Sequence, residues 1–564
     1  MKNVDQRHDR WIIAAFAILA FLGCLVLLRV GGMYVSPDET ANAFFAKTFV
    51  RTGALSVFEP LNADLGDALH PRSIISIASR LVPSGFIGLP VIFGTVASFT
   101  GYWSLPFLTP LLAALALFAW YATVKKIFDR EVALLSAILL AIHPAWWYYS
   151  ARSFMPNVPF VALLILAAYL LVVRPSRAQR FALVDPTLAG ALAALALFIR
   201  PSEIVWLTVA SAIAIFFSAS PLLRSRRGWG WSSLKSPALF LAGLAIAIIP
   251  LFAFNAVTYG SPLTTGYTAV ANAEIGEEEI GNQKSEISDA SPSLSSISNF
   301  QFPISRSLFP FGLSRHDVKT NMLSYGFGLF WWLTVLSVIG FPLAFPRKSL
   351  AKEHHAARKS YLAFAVAASA YLALMYGSWT FFDNPDPTQV TIGNSHVRYW
   401  LPAFVLATPF AALGIRWISR RAFTDFARRA AVAILIVLCL GLSIRVAFLS
   451  PQDGIVAAAR GLEESRDTRD VVLGVTERDS VIVVDRGDKL FFPYRRVLYP
   501  LRDDATYALM PRIALRVPLY YYGITLPQVD VDWLNADRLA KLGLKIVAVH
   551  TFRIETLYRI SPRD

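Results

Sequence analysis

The stretch Ser36-Pro37-Asp38-Glu39-Thr40 decides how the rest of this chain is interpreted. Ser36 is a good N-cap, Pro37 fits the first position of a helix, and Glu39 completes a capping box. The two carboxylates also suit the positive end of a helix dipole. The stretch therefore predicts the start of a helix. Adjacent carboxylates at such a start serve either as a cap or as a reactive pair, and the five residues alone leave both interpretations open.

The stretch stands at the exit of a predicted membrane span. Residues 11–28 carry no charge and are long enough to cross a bilayer. After the acidic pair, a helical pattern places Ala41, Phe44, Phe45 and Phe49 on one face. A helix with such a face is expected to lie along the membrane surface. Its acidic start would then lie at the mouth of a helix bundle.

The composition is that of a polytopic membrane protein. Of 564 residues, 55% are hydrophobic and only 16% are charged, and the mean hydropathy is +0.50. The formal net charge of +15 comes from short basic clusters between apolar segments. That distribution indicates the positive-inside rule, and it argues against a nucleic-acid partner.

Charge alternation predicts about eleven spans, within a range of eleven to thirteen. The basic start places the N-terminus in the cytoplasm, and an odd number of spans places the C-terminus outside. Residues 85–101 are apolar but contain Pro90. If they spanned, the basic cluster at 125–130 would lie outside, so a re-entrant or interfacial role is favoured over a span.

Two domains follow from this topology. Residues 1–449 form an all-α transmembrane domain with external loops at 31–84 and 259–320, the second an acidic, Ser-rich loop. Residues 450–564 are charged and contain β-rich runs such as 480–484, which predicts an extracytoplasmic α/β domain.

The acidic stretch and its setting resemble the first external loop of the GT-C integral-membrane glycosyltransferases. The resemblance is greatest to the family 39-like branch, which includes protein O-mannosyltransferases and aminoarabinose transferases, and it covers roughly residues 11–450. It implies a GT-C fold and inverting transfer of a sugar from a polyprenyl-phosphate donor to an external acceptor. It also implies that Asp38 is the catalytic base, with Glu39 tuning it or binding substrate.

The run 396–402, with the sequence HVRYWLP, is similar to the family's R-Y-x-L-P segment. The resemblance implies that Arg398 faces the donor phosphate, and it includes His396 and Tyr399 among the substrate-binding residues. A guanidinium suits this role because its planar fork matches phosphate oxygens. The alternative is that an arginine at a helix end simply extends to the interface.

Shorter pieces resemble the family as well. Arg152 lies in a turn like the family's Y-x-S-R turn, and Arg200 begins an R-P pair at an external helix end. His70 begins an H-P pair that resembles a piece the family has after its first loop. The resemblance implies that these residues bind donor or substrate. Each of them could equally be structural, the two arginines at the interface and the histidine on the surface.

Asn157 departs from the family pattern, since many relatives have an acidic residue in this turn. An asparagine can orient a sugar but binds a divalent cation poorly. The departure favours the metal-independent members, so no cofactor is assigned and a divalent cation stays an open question. Asp383 or Asp386 would have to contribute to a metal site.

The expected partners are a polyprenyl-phosphate sugar, a glycan, lipid or protein acceptor, and the bilayer of a plasma (inner) membrane. Three other interpretations stay open. A transporter of lipid-linked sugars would carry charges in mid-membrane, which the sequence does not suggest. A glycan polymerase or ligase of the O-antigen type would use external Arg and His but would not need the acidic pair. A structural scaffold would not need the pair either. The sequence names neither the sugar nor the acceptor.

Overall fold

The computed structural model describes residues 2–28, 30–173, 184–223, 231–271, 309, 312–346, 352–383, 386, 388–501 and 503–563. Most of the acidic loop at 259–320 lies outside these residues, and so does the basic run at 174–180. The chain forms two compact units, each assembled from three separate segments. The first unit comprises Met1–Arg29, Pro106–Leu251 and Glu286–Ala458, and the second comprises Val30–Leu105, Phe252–Ser285 and Ala459–Asp564.

The first unit is helical. Its α-helices are Lys2–Leu28, Leu108–Ile127, Arg130–Ala141, Pro144–Ala151, Asn157–Val172, Val184–Ile199, Ile204–Leu223, Trp231–Tyr259, Arg315–Asn321, Trp331–Ala344, Lys352–Gly377, Ser395–Tyr399, Leu401–Ser419 and Asp425–Ala447, of which Trp231–Tyr259 continues into the second unit. Shorter helical turns of other types lie at Tyr102–Phe107, Pro201–Glu203 and Met322–Gly328.

The described residues include six single helices that are long and apolar enough to cross a membrane. These are Arg7–Leu28, Tyr102–Ile127, Ser236–Tyr259, His354–Gly377, Leu401–Ser419 and Asp425–Ala447. Three bent helix pairs raise the number to nine, and Gly88–Thr100 and Asn157–Val172 are shorter apolar helices. The predicted multi-pass helical fold is confirmed, while eleven to thirteen spans and their orientation stay predictions.

The bent pairs place irregular backbone where two helices meet. Arg130–Ala141 meets Pro144–Ala151 at 48°, and Val184–Ile199 meets Pro201–Phe216 at 116°. The sharper of these two bends contains Arg200, whose side chain is 7% exposed. A bend of this kind frees backbone groups and leaves room for a polar side chain between helices.

Glycines allow two helix pairs of the first unit to approach closely. A methyl group at Gly340 would overlap the carbonyl oxygen of Phe410, and one at Gly414 would overlap that of Leu336. Gly190 and Gly243 play the same part between Val184–Ile199 and Trp231–Tyr259, where added methyl groups would overlap backbone atoms. Small residues at such crossings are typical of membrane helix packing.

The second unit begins with the helix that the acidic stretch predicts. This loop helix runs from Pro37 to Thr52, with Ser36 as N-cap in a complete capping box. It ends at Gly53, whose φ of 69° is the left-handed conformation that glycine adopts readily. The predicted helix and its cap are therefore confirmed.

Aromatic side chains of the loop helix pack within the second unit. Phe45 is fully buried, the rings of Phe44 and Phe492 meet edge to face at 4.8 Å, and those of Phe49 and Phe254 at 5.6 Å. These contacts lie on the face expected at the membrane surface, so part of that face is covered by protein.

The rest of the first loop forms two short helices and a small sheet. The helices are Asn62–Leu65 and Gly88–Thr100. The strands are β1 (Val57–Phe58), β2 (Ile74–Ile77) and β3 (Arg80–Pro83), antiparallel in the order β1-β3-β2. Gly88–Thr100 has 13 residues and is about 20 Å long, which is shorter than a bilayer core and supports the non-spanning role expected for residues 85–101.

The C-terminal segment forms a mixed five-stranded sheet in the order β5-β4-β6-β8-β7. The strands are β4 (Val481–Val484), β5 (Arg496–Leu498), β6 (Leu519–Ile524), β7 (Leu544–Thr551) and β8 (Glu555–Pro562). Pairs β4–β5 and β4–β6 are parallel, and pairs β6–β8 and β7–β8 are antiparallel. Helices accompany the sheet at Ile455–Val475, Asp488–Phe491, Asp504–Ala514 and Gln528–Trp533, with tighter or wider turns at Ala540–Leu542 and Leu534–Arg538. The predicted sheet region is confirmed.

Residues of the first loop complete the core of this sheet. Leu65 and Leu69 are buried in one cluster with Val481, Val483 and Tyr521. The second unit is therefore one core built from two distant parts of the chain. The domain boundary that the sequence predicts, at 449/450, therefore separates Leu65 and Leu69 from the C-terminal strands that share their core.

Candidate active site

Asp38 lies at the start of the loop helix and is held by a hydroxyl group. Its side chain is partly buried, and the hydroxyl of Ser73 donates a hydrogen bond of 2.6 Å to its Oδ1. Ser73 immediately precedes β2. A carboxylate fixed in this way has a defined orientation, which a general base requires.

Glu39 has a different environment from its neighbour. Its side chain is 2% exposed, and its Oε2 accepts from the backbone N–H of Ser36 at 3.2 Å. The backbone N–H of Glu39 in turn donates to Ser36 Oγ at 3.3 Å. Burial and the charge of Glu39 raise the pKa of the nearby Tyr34 phenol. Glu39 therefore acts as a helix cap in this structure, and a role toward substrate stays a prediction.

His70 also belongs to the second unit. Its ring meets that of Tyr499 edge to face at 5.8 Å, and its Nδ1 lies 3.2 Å from the carbonyl oxygen of Pro71. Burial lowers the pKa of His70, which favours the neutral ring at physiological pH. A neutral imidazole can accept or donate a hydrogen bond but does not neutralise a phosphate.

The first unit brings Arg398, Tyr399 and Asn157 together. The guanidinium of Arg398 donates to Ser395 Oγ at 2.8 Å and lies 5.1 Å from the centre of the Tyr399 ring. The amide of Asn157 donates to the carbonyl oxygen of Arg398 at 3.1 Å. Asn157 is 3% exposed, so in this structure its amide supports the backbone that carries Arg398.

Arg200 is paired with a buried carboxylate. It donates to Glu203 Oε1 through Nε at 2.9 Å and through Nη2 at 2.5 Å. Its guanidinium also lies 4.9 Å from the centre of the Tyr399 ring. Tyr376 donates to the same Glu203 oxygen at 2.7 Å and stacks on Tyr399 with ring centres 4.4 Å apart. These contacts favour a structural role for Arg200 over direct phosphate binding.

Arg152 ends the helix Pro144–Ala151 and is 4% exposed. Its guanidinium lies 5.7 Å and 5.8 Å from the ring centres of Tyr148 and Tyr149. The hydroxyl of Tyr149 donates to the carbonyl oxygens of Ile392 and Asn394, each at 3.1 Å. Tyr149 therefore ties the turn that carries Arg152 to the segment leading into Arg398.

His396 is buried, with 1% of its surface exposed. Its ring nitrogens lie 2.9 Å from Asn394 Oδ1 and 3.0 Å from the carbonyl oxygen of Trp379, and its ring stacks on Tyr325. Burial lowers its pKa to about 4. The side chain is therefore neutral and engaged in the protein interior.

The two aspartates considered for a metal are engaged locally. Asp383 Oδ2 accepts from the backbone N–H of Ser395 at 2.6 Å, and Asp386 accepts from Thr388. Within the described part of the chain, no three or more His, Cys, Asp or Glu side chains converge on a metal position. The acidic residues at 274–289 lie outside that part, and independence of a divalent cation, which the sequence favours, stays a prediction.

An apolar cavity of about 490 Å³ lies in the first unit. Its lining includes Phe330, Phe341, Phe404 and Trp400, and Trp400 follows Arg398 by two positions. The cavity is thus close in sequence to the predicted phosphate ligand, and its walls suit a hydrocarbon chain.

Three residues that support these groups were not singled out in the sequence. Ser73 and Glu203 are single polar residues without a motif. Asp488 accepts a hydrogen bond from Arg72, which lies 416 positions earlier in the chain. The structure places Asp38, Glu39 and His70 in the second unit, and Arg152, Asn157, Arg200, His396, Arg398 and Tyr399 in the first.

Comparison with known proteins confirms the resemblance to the GT-C glycosyltransferases and their family 39-like branch. Residues 91–254 match the family described as dolichyl-phosphate-mannose-protein mannosyltransferase. No curated protein matches the chain significantly.

Solved structures of one protein, ArnT, share the fold. ArnT from Cupriavidus metallidurans bound to undecaprenyl phosphate is similar with a TM-score of 0.57 at 10% identity, and the match covers 97% of each chain. Its apo form gives a TM-score of 0.56 at 10% identity over 98% of each chain. The archaeal oligosaccharyltransferase AglB from Archaeoglobus fulgidus, in complex with an inhibitory peptide and a dolichol-phosphate, gives 0.45 at 13% identity over 94% of this chain and 71% of its own.

Proposed function

We propose that this chain, whose fold is that of the GT-C glycosyltransferases, transfers a sugar from a polyprenyl-phosphate-linked donor to an extracytoplasmic acceptor. The observation that carries the proposal is Asp38, which follows the first membrane helix and is held by Ser73 at 2.6 Å. The fold shared with ArnT and the mannosyltransferase family match over residues 91–254 add to it.

In the proposed reaction Asp38 removes the proton from the acceptor hydroxyl. The acceptor oxygen attacks the anomeric carbon as the bond from that carbon to the phosphate oxygen breaks, so polyprenyl phosphate leaves with the bonding electron pair. A single displacement inverts the anomeric configuration. General-base catalysis contributes typically ~10²–10⁴-fold, which sets the scale for a carboxylate variant.

Arg398 is the proposed partner of the donor phosphate, with Arg152 as a second cation in the same unit. Arg398 is only partly buried and is supported by Ser395, Tyr399 and Asn157. We also propose that the apolar cavity lined in part by Trp400 binds part of the prenyl chain. The membrane is proposed to be a plasma (inner) membrane, with the loop helix and the C-terminal sheet outside.

The experiment is sugar transfer in membranes that carry wild type or Asp38→Asn. The donors are undecaprenyl-phosphate-linked radiolabelled mannose, glucose and aminoarabinose, and products are separated into glycan, lipid and protein fractions. We expect Asp38→Asn to lose at least ~10²-fold in rate while its abundance and thermal stability match wild type. Asp64→Asn, which alters an exposed ion pair with Arg516 in the same unit, is the matched control and should retain activity.

Full activity of Asp38→Asn would contradict the assignment of the base and reduce the acidic pair to a helix cap. Parallel reactions with a chelator answer the question of a divalent cation. The anomeric configuration of the product, measured by NMR, checks inversion.

A further inference from the structure

Arg72 and Asp488 form a dense set of contacts in the second unit. Asp488 accepts from the backbone N–H and the Nε of Arg72, each at 2.9 Å, and from its Nη2 at 2.6 Å. Arg72 Nη2 also donates to the carbonyl oxygen of Arg486 at 2.7 Å. Hydrogen bonds between charged partners are among the stronger contacts in proteins.

The carboxylate of this pair is inaccessible to solvent. The side chain of Asp488 is 1% exposed, whereas that of Arg72 is 34% exposed. A buried carboxylate depends on its hydrogen-bond donors, because an unpaired charge in the interior is costly. Three donors from one residue therefore fix both the side chain and the backbone of Arg72.

The residue after Arg72 has a strained conformation. Ser73 has a φ of 62°, which is uncommon for a residue with a side chain and persists where the surroundings enforce it. The backbone bond from Arg72 to Asp488 lies immediately before this position. From it, the Ser73 hydroxyl donates to Asp38 Oδ1 at 2.6 Å.

Asp488 begins the short helix Asp488–Phe491. The next residue of this helix, Lys489, contacts the chain just before the loop helix. The ammonium group of Lys489 donates to the carbonyl oxygen of Val35 at 2.6 Å. Residues 488 and 489 thus hold the two chain segments on either side of the Ser73–Asp38 hydrogen bond.

We propose that Asp488 is a positioning residue that acts through Arg72 to hold Ser73 against the Asp38 carboxylate, and that Ser73 orients this carboxylate for proton transfer. The inference rests on the proposed function of Asp38. It gives the C-terminal segment, which lies beyond the sequence motifs that resemble the family, a part in the reaction through contacts to the loop rather than to substrate.

Three variants test the two parts of this proposal, the hold of Asp488 on Arg72 and the hydrogen bond from Ser73 to Asp38. Ser73→Gly removes the hydroxyl and relieves the left-handed conformation, because glycine adopts positive φ without penalty. Ser73→Asn also tolerates this conformation and keeps an N–H donor. Asp488→Asn weakens the hold on Arg72. Asp504→Asn, which alters an exposed ion pair with Arg538 in the same unit, is the matched control.

The measurements are kcat and KM for the undecaprenyl-phosphate-linked donor that wild type uses, together with thermal stability in detergent. We expect Ser73→Gly and Asp488→Asn each to lower kcat by about 10- to 100-fold through misplacement of the carboxylate. KM for the donor should change by less than about two-fold, because binding does not depend on this orientation. Ser73→Gly should be at least as stable as wild type, and Ser73→Asn should have a higher kcat than Ser73→Gly.

Combining Ser73→Gly with Asp488→Asn adds a second test. If both residues act through the same carboxylate, the double variant should lose little more than the worse single variant. Independent losses that multiply would overturn the link through Arg72.

The outcomes separate this inference from the function on which it rests. If Asp38→Asn is inactive while Ser73→Gly and Asp488→Asn keep the wild-type kcat, the positioning role is wrong and the proposed base stands. If Asp38→Asn is fully active, the proposed base fails and the positioning role fails with it. Loss of kcat in Asp504→Asn equal to that in Asp488→Asn would also overturn the inference.

Discussion

At the scale of single residues, the carboxylate of Glu203 accepts hydrogen bonds from three side chains of the first unit. Arg200 and Tyr376 donate to its Oε1, and the indole N–H of Trp206 donates to its Oε2 at 2.5 Å. Glu203 is 2% exposed. Two members of this group, Arg200 and Tyr376, also contact the ring of Tyr399. Arg398 contacts the same ring.

Arg200→Gln should therefore impair folding more than catalysis. It leaves a buried carboxylate without its cation, a change that typically costs about 3–5 kcal/mol. We expect a large drop in thermal stability and in yield from detergent. The double variant Arg200→Gln/Glu203→Gln removes both charges and should recover most of the stability. If the single variant is as stable as wild type but has a raised KM for the donor, Arg200 binds phosphate after all.

The lowered pKa of His396 implies that the free energy of unfolding depends on pH. Its pKa of about 4 lies below the ordinary value of 6.5, so the unfolded state binds more protons between these values. The contribution of the neutral, buried ring is full above pH 6.5 and is lost as the pH falls toward 4. The full shift corresponds to a loss of roughly 3 kcal/mol.

We expect the difference in thermal stability between wild type and His396→Gln to shrink as the pH falls from 7.5 to 4.5. Thermal unfolding in detergent at four pH values measures it, and taking the difference removes the titration of His70 and other shared groups. A difference that stays constant over this range would show that His396 does not titrate with folding.

Local patterns at this scale were predictable, and distant partners were not. Ser36 and Glu39 lie within one helical turn of each other, so their capping box follows from spacing. Ser73 lies 35 positions from Asp38. No periodicity links such a pair, and only the folded chain brings the two together.

At the scale of elements, the crossing of Trp331–Ala344 with Leu401–Ser419 depends on small residues. A side chain at Gly340 would meet the backbone of Phe410 and Gly414. The helices would have to separate, and their other contacts would weaken.

Gly340→Val should therefore lower thermal stability by an amount typical of overpacked sites, about 1–3 kcal/mol. Gly441→Val is the matched control, since Gly441 lies in the helix Asp425–Ala447 with open space where a side chain would extend. Thermal unfolding in detergent compares the two variants. Equal stability of both would mean that the close approach at Gly340 contributes little.

The two apolar segments named from the sequence, 11–28 and 85–101, each contain a helix, because hydropathy and length constrain membrane helices strongly. The bends were not predicted. The 116° bend between Val184–Ile199 and Pro201–Phe216 is marked by one Arg-Pro pair, which is equally typical of a helix end. The three-stranded sheet of the first loop was also missed, since its strands have two to four residues and give too short a pattern.

At the scale of the whole molecule, the second unit joins the first loop and the C-terminal sheet in one core. Val483 is fully buried there with Leu65 and Leu69. Val483→Asp places an unpaired carboxylate in this core, a costly change. We expect it to loosen the loop as well as the sheet, and so to open tryptic cleavage after Arg72 in the full-length protein.

Limited proteolysis in detergent, followed by mass spectrometry, measures that cleavage. Val547→Asp is the matched control, because Val547 lies on β7 and is 56% exposed. If Val483→Asp leaves the loop as resistant as wild type does, the loop folds without the sheet.

The shared core of Leu65, Leu69 and the sheet also sets an order of events during synthesis. The loop leaves the ribosome early, but the strands that cover its leucines are made only after the remaining membrane helices. At about 5–20 residues per second the interval is on the order of 20 to 80 seconds. During this interval the loop lacks its covering partner, and Arg72 lacks the Asp488 contact proposed to hold Ser73 against Asp38. A nascent chain would therefore gain the proposed orientation of its base only when its last segment has folded, so incomplete copies would transfer sugar more slowly than the finished protein.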